Sequence, residues 1–155
     1  MRSMMSQLVQ GNDVNGQGKL FGGRLMQWID VTGAIACRRH AGMDVVLAVA
    51  DSMQFLAPAH LNDTVNLYAQ VTWTGRTTIE CCVESYAERL DGSIELVNKA
   101  YMLYVAVDGG QPSEVPRYIP HGAEAEREYK AAELRQEARR GRRQEPVDNS
   151  SKKEN

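Results

Sequence analysis

Leu25, Ile29, Thr32, Gly33 and Ala36 recur three and four residues apart, and Met26, Trp28 and Ile35 widen the same stripe. That period predicts one long helix over residues 23–41. It is apolar almost all round until Arg38 and Arg39, so it is expected to be buried. Gly33, Ala34 and Ala36 are small and let its backbone lie close to a sheet. Past the helix the period falls to two. A short apolar run covers residues 45–49. Val65, Leu67, Ala69, Val71 and Trp73 alternate with polar neighbours, as do Ile79, Cys81, Val83, Ser85 and Ala87. Residues 96–107 form a longer, less polar run, as a central strand does. Thr74-Gly75-Arg76 and Leu90-Asp91-Gly92 read as hairpin turns. A short strand near residues 7–10 completes the set. One buried helix and a meander of strands predict an α+β fold, with the sheet curled round the helix.

The pattern breaks between Pro116 and Pro120. Residues 1–120 read as one domain, and residues 121–155 as a charged tail. In the tail Glu and Arg or Lys interleave at helical spacing over residues 123–140, which predicts a solvated helix. Residues 144–155 carry the composition of a disordered end. Arg139, Arg140, Arg142 and Arg143 suit the negative end of the helix dipole and need no other explanation.

Composition removes several function classes. A chain of 155 residues with 43% hydrophobic residues buries one real core, and its net charge of -2 gives no general attraction for nucleic acid. No apolar run reaches the roughly 18 residues of a membrane span, and residues 1–10 lack a signal-peptide core. The expected setting is the cytoplasm, with no membrane or nucleic-acid partner. Cys37, Cys81 and Cys82 are odd in number, and the last two point to opposite faces of one strand, so reduced thiols are expected. His40, His60 and His121 do not group with them at metal-ligand spacing, so no metal is expected.

The chemistry concentrates in Asp13-Val14-Asn15-Gly16-Gln17-Gly18-Lys19-Leu20-Phe21-Gly22-Gly23. This glycine-rich stretch ends where the helix begins. The first N–H groups of a helix are unpaired and point outward. They suit an oxyanion or a polarised carbonyl oxygen. Alone, Asn15 reads as a turn residue, and Asp30 as a structural carboxylate bonded to a strand.

Longer motifs change that reading. Asn15-x-x-Gly18-x-Leu20-Phe21-Gly22-Gly23-x-Leu25-Met26-x-Trp28-Ile29-Asp30 resembles the hotdog-fold acyl-CoA thioesterases. So do Gly33-Ala34, Arg39-His40-Ala41-Gly42, Asp51-Ser52-Met53-x-Phe55-Leu56-x-Pro58, Gly75-Arg76-Thr77-Thr78 and Asn98-Lys99-Ala100-x-x-x-Tyr104-Val105-Ala106-Val107-Asp108. The resemblance implies a curved antiparallel sheet round a central helix. It implies a dimer at least, assembled further into a trimer of dimers. It also implies hydrolysis of acyl-coenzyme A to acid and coenzyme A, with no cofactor beyond the coenzyme A of the substrate. The family's catalytic Asn matches Asn15 and its Asp matches Asp30, and the two meet across the dimer interface. Asp30 is then general base or nucleophile, Asn15 holds water or carbonyl, and Gly22 and Gly23 give N–H groups to the oxyanion. Arg76, Thr77, Thr78, Arg39, His40 and Ser52 are candidate contacts to coenzyme A. Leu47-Ala48-Val49-Ala50 departs from the family's usual Thr-Ala-Ser-Val, and Gly11-Asn12 stands where a Pro often lies.

Two other functions fit the same fold: a dehydratase acting on acyl-carrier-protein thioesters, and a non-catalytic acyl-CoA sensor. The first needs an acid–base pair, usually with His, and the glycine-rich motif has none. The second needs no competent Asp, whereas Asn15 and Asp30 are both present. No G-x-S-x-G motif exists, so His40 is not the base of a serine triad.

Overall fold

The computed structural model describes residues 2–144. They fall into two units, one ending at Ile119 and the other starting at Pro120. The first holds strand β1 (Arg2–Leu8), helix α1 (Gly22–Ala41), and strands β2 (Asp44–Phe55), β3 (Thr64–Thr74), β4 (Thr78–Glu88), β5 (Ile94–Asp108) and β6 (Gln111–Pro112). The strands form one sheet in the order β1-β3-β4-β5-β2, and the two-residue β6 pairs with β5. Every pairing is antiparallel. The second unit holds helix α2 (Ala123–Gln144), with Glu124 and Glu126 in its first turn and Arg142 and Arg143 in its last. That charge order suits the helix dipole. The expected disorder over residues 144–155 falls almost entirely outside the described residues.

The core follows from the two periods. Val65, Leu67, Ala69, Ile79, Cys81, Val83, Ala100, Met102, Tyr104 and Ala106 take one face of three neighbouring strands, and all are buried. Leu25, Ile29, Thr32, Ala36 and Cys37 of α1 close that face. Each fully buried branched side chain such as Ile29 contributes about 1.5–3 kcal/mol. With 20 residues α1 is about 30 Å long. It stops at Gly42, whose φ of 68° is the left-handed cap that only glycine adopts cheaply, and whose N–H bonds the Arg38 carbonyl.

Four expectations need correction. The helix starts at Gly22, one residue earlier than the apolar period shows, because a glycine carries no side chain to mark the face. The helix is not buried all round: Met26 is 43% and Val31 45% exposed. One sheet covers only one side of a helix, so the opposite side stays bare in a single copy. The second strand runs to Phe55 rather than ending at 49, with register shifts between Leu47 and Val49 and between Asp51 and Gln54. Those bulges break the alternation that would have revealed it. The first strand is Arg2–Leu8, not residues 7–10, and Gly11–Asp13 is a short 3-10 turn. As an edge strand β1 carries polar residues on both faces, and its alternation is faint.

Candidate active site

The glycine-rich loop is held by its own polar groups. Asp13 is nearly buried, accepts a bond from the Gln10 N–H at 2.9 Å, and pairs with Arg24 of the first helical turn at 3.1 Å. Its carbonyl accepts the Phe21 N–H at 2.9 Å. Asp13 therefore ties the start of the loop to the start of α1. The sequence shows Asp13 in the stretch but gives no sign of this task, because its partner lies eleven residues on.

Asn15 sits at the turn of this loop. Its Oδ1 accepts the N–H groups of Gln17 at 2.9 Å and Lys19 at 3.2 Å. Its backbone N–H bonds the Lys19 carbonyl, and its carbonyl accepts the Gly18 N–H. The oxygen end of the amide is thus occupied and fixes the side chain, and its Nδ2 makes no hydrogen bond among the described residues. The structure narrows Asn15 from a group that donates and accepts to a donor.

Gly22 and Gly23 open α1 behind Phe21, which offers no side-chain cap. The first hydrogen-bonded turn begins with the Leu25 N–H on the Phe21 carbonyl, at 3.1 Å. The amides ahead of it face outward. A Cβ added at either glycine would meet nothing within 4 Å. Among the described residues, the space beside these two glycines is open.

Asp30 lies two turns into α1 and is half-buried. The Tyr104 hydroxyl, from β5, lies 2.9 Å from its Oδ1 and 2.9 Å from its main-chain oxygen. Tyr104 is 1% exposed. Burial, then the neighbouring Cys81 and Asp30, pushes its phenol far above the ordinary range, so it stays a neutral donor. Oδ2 of Asp30 makes no hydrogen bond among the described residues. The approach depends on Gly33, one turn on, because a Cβ there would lie 2.7 Å from the Tyr104 oxygen and 3.0 Å from Cys81 Sγ. Tyr104 is the site residue that sequence reasoning missed. Its place on the inward face of β5, beside Met102 and Ala106, was readable from the alternation, but its partner was not.

No hydrogen bond joins Asn15 to Asp30 within the chain. Asp30 instead lies by the bare side of the molecule, where α1 exposes Met26 and Val31, and the helix-facing side of β2 exposes Leu47 (38%) and Phe55 (56%). Among the described residues β2 pairs only with β5, which leaves its other edge open. A cleft of about 400 Å³ opens beside the start of α1, lined by Leu20, Gly22, Leu25, Phe55, Leu56, Ala57, Pro58, Ala59 and Val97.

Five of the six candidate coenzyme A contacts share one end of the sheet. Arg76 is exposed on the β3–β4 hairpin and lies 3.7 Å from Glu114. Its carbonyl holds the Val115 N–H, and the Thr77 carbonyl holds Ala106. Thr78 packs against the same turn, with Oγ1 where a Cβ of Gly75 would go. His40 Nε2 bonds the Pro116 carbonyl at 2.7 Å, and Tyr118 bonds Thr74. The segment 113–118 therefore links the hairpin to the C-terminal end of α1. Arg39, beside His40, donates to Ser3 Oγ at 3.0 Å. Ser52 stands apart, in the β2 bulge beside Tyr101 and Lys99, with φ of 50° and its N–H on Asp51 Oδ1. Cys37, Cys81 and Cys82 are buried and form no disulfide. The Cys81 thiol is pushed up by its hydrogen bond with Cys37 and by burial, so it is no nucleophile. No set of three His, Cys, Asp or Glu comes together to hold a metal, and no helix is long and apolar enough to cross a membrane, among the described residues.

Known proteins resemble this chain in sequence and fold. The thioesterase superfamily model matches residues 17–92. An acyl-CoA thioester hydrolase of Bacillus subtilis is 36% identical over 133 residues, covering 84% of this chain and 77% of that protein. The crystal structure of an apo-hexameric acyl-CoA thioesterase superposes with a TM-score of 0.89 at 35% identity, covering 94% of each chain. An acyl-CoA hydrolase of Staphylococcus aureus, solved with butyryl coenzyme A and coenzyme A, superposes at 0.85 with 32% identity, covering 92% of this chain and 88% of that one. Structures of that protein carry alanine in place of an Asp, of an Asn fifteen residues before it and of a Thr seventeen residues after it. Counted from Asp30, the same spacings fall on Asn15 and on Leu47.

Proposed function

This chain belongs to the acyl-CoA thioester hydrolases of the thioesterase superfamily, and on that premise we propose that Asp30 and Asn15 carry its reaction in clefts completed by a second copy. The protein hydrolyses acyl-coenzyme A to a free carboxylic acid and coenzyme A. Asp30, through the oxygen that Tyr104 leaves open, takes a proton from water as the water oxygen bonds to the thioester carbonyl carbon. Negative charge moves to the carbonyl oxygen. The Gly22 and Gly23 amides and the Asn15 Nδ2 donate to it, the effect that contributes most to such reactions. The carbon–sulfur bond then breaks, and the Asp30 carboxyl returns its proton to the leaving thiolate. These steps need no group beyond the chain's own residues and water.

The observation that carries this reading is the state of Asp30: one oxygen fixed by a buried phenol, the other open, on the side where the helix and the β2 edge lie bare. The chain does not bring Asn15 to Asp30 by itself, which supports a site shared between copies. The apolar cleft beside α1 takes the acyl chain. The end carrying Arg39, His40, Arg76, Thr77 and Thr78 takes the nucleotide phosphates, and Ser52 approaches the ligand only from the partner's side. The assembly is a dimer built on the β2 edge and multiplied to a hexamer, read as a trimer of dimers.

The test follows thiol release from acyl-coenzyme A esters of two to eighteen carbons. Wild-type protein turns over at least part of that series. Asp30→Ala and Asn15→Ala each lose roughly 10²-fold or more in kcat while coenzyme A affinity stays close to wild type. Near-normal turnover in Asp30→Ala would show that Asp30 is structural. Binding without thiol release by the unmutated protein would make it a sensor.

A further inference from the structure

We propose that Tyr104 is a positioning residue for the hydrolysis, its hydroxyl holding one oxygen of Asp30 so that the other faces the attacking water. This inference rests on the reading of Asp30 as the base. Three observations carry it. The hydroxyl is inside the core, and its one proton is shared between two oxygens of Asp30, Oδ1 and the main-chain oxygen, each at 2.9 Å. A buried phenol with a single polar partner residue fixes that partner's geometry. The helix also gives up a side chain to admit it: at Gly33 a Cβ would stand 2.7 Å from the hydroxyl oxygen. Glycine is a poorer helix former than alanine, and the close approach of Tyr104 is what needs it here.

The third observation lies on the neighbouring strand. Leu47 is the register partner of Tyr104 across β2 and β5, so the two side chains share a face. Leucine has no hydroxyl to offer Asp30. Among the described residues the hydroxyl beside the carboxylate is that of Tyr104, one strand further in.

Removal of the hydroxyl should therefore loosen the orientation of the base and slow the chemical step, while substrate binding is untouched. A tyrosine that only filled the core would not change kcat when its ring is kept.

The experiment measures kcat and KM for thiol release by full-length wild type, Tyr104→Phe, Gly33→Ala and Asp30→Asn, with melting temperature and oligomeric state checked for each. Tyr104→Phe keeps the ring and so the packing. Its kcat is expected to fall roughly tenfold, the scale of one hydrogen bond to a charged group, with KM unchanged. Gly33→Ala pushes the hydroxyl away while keeping it, and should lower kcat in the same way with KM unchanged. This second variant keeps the idea testable if the first does not fold. If Asp30→Asn is inactive but Tyr104→Phe matches wild type in kcat, the positioning role is wrong and the base assignment stands. If Asp30→Asn turns over normally, both fall together.

Discussion

At the scale of single residues, the proposed site occupies some polar atoms so that others are left exposed. Asn15 accepts two backbone N–H groups through its oxygen and presents its nitrogen. Asn15→Asp keeps the acceptor and loses the donor. It should therefore fold normally and lose roughly 10²-fold in kcat, the cost of one oxyanion donor; wild-type turnover in that variant would remove Asn15 from the oxyanion. Asp13 does the opposite job, as an anchor. Asp13→Ala breaks the pair with Arg24 and leaves the Gln10 N–H without its partner. It should destabilise the protein by about 1–3 kcal/mol, visible as a lower melting temperature. The sequence displayed Asn15, Asp30, Gly22 and Gly23 because they sit in one contiguous motif. It hid Tyr104 and Asp13 because a partner 74 residues away, or a loop closed through backbone groups, leaves no local pattern.

At the scale of elements, α1 and β3 were legible because each has one buried face and one that is less buried, and β4 and β5 because apolar residues fill one face, although Glu80, Cys82 and Leu103 are buried on the other. β2 was not legible past Val49. Its bulges interrupt the alternation, and Ser52 takes a left-handed φ in mid-strand. The extent of burial of α1 was overread for a related reason: apolar residues on both sides of a helix show that both sides are covered, not that one chain covers them. Met26 and Val31 mark the side left for something else. The C-terminal end of α1 gives a separate test of its geometry. Gly42→Ala forces a Cβ into a φ of 68°, and should cost about 1 kcal/mol in stability with kcat unchanged. A loss of kcat in that variant would tie the helix end to the chemistry.

At the scale of the whole molecule, the open edge of β2 and the bare side of α1 coincide with the side on which Asp30 lies. In the proposed dimer a second copy across that edge would continue the sheet, cover Met26, Val31 and Phe55, and bring another chain's Asn15 loop toward Asp30. Val31→Lys puts a charge on the bare side of α1 and should give smaller particles by light scattering, with activity lost in proportion; full activity from a monomer would separate the site from the assembly. The central claim is that Asn15 and Asp30 act together from different chains, and one measurement addresses it directly. Asn15→Ala and Asp30→Ala chains, each inactive alone, are co-refolded with different affinity tags, and the mixed dimer is isolated by both. One of its two clefts then carries both lesions and the other carries neither. The account predicts that thiol release returns to about half the wild-type rate per dimer, from the one intact site expected if the clefts act independently. A mixed dimer that forms and stays inactive would contradict it.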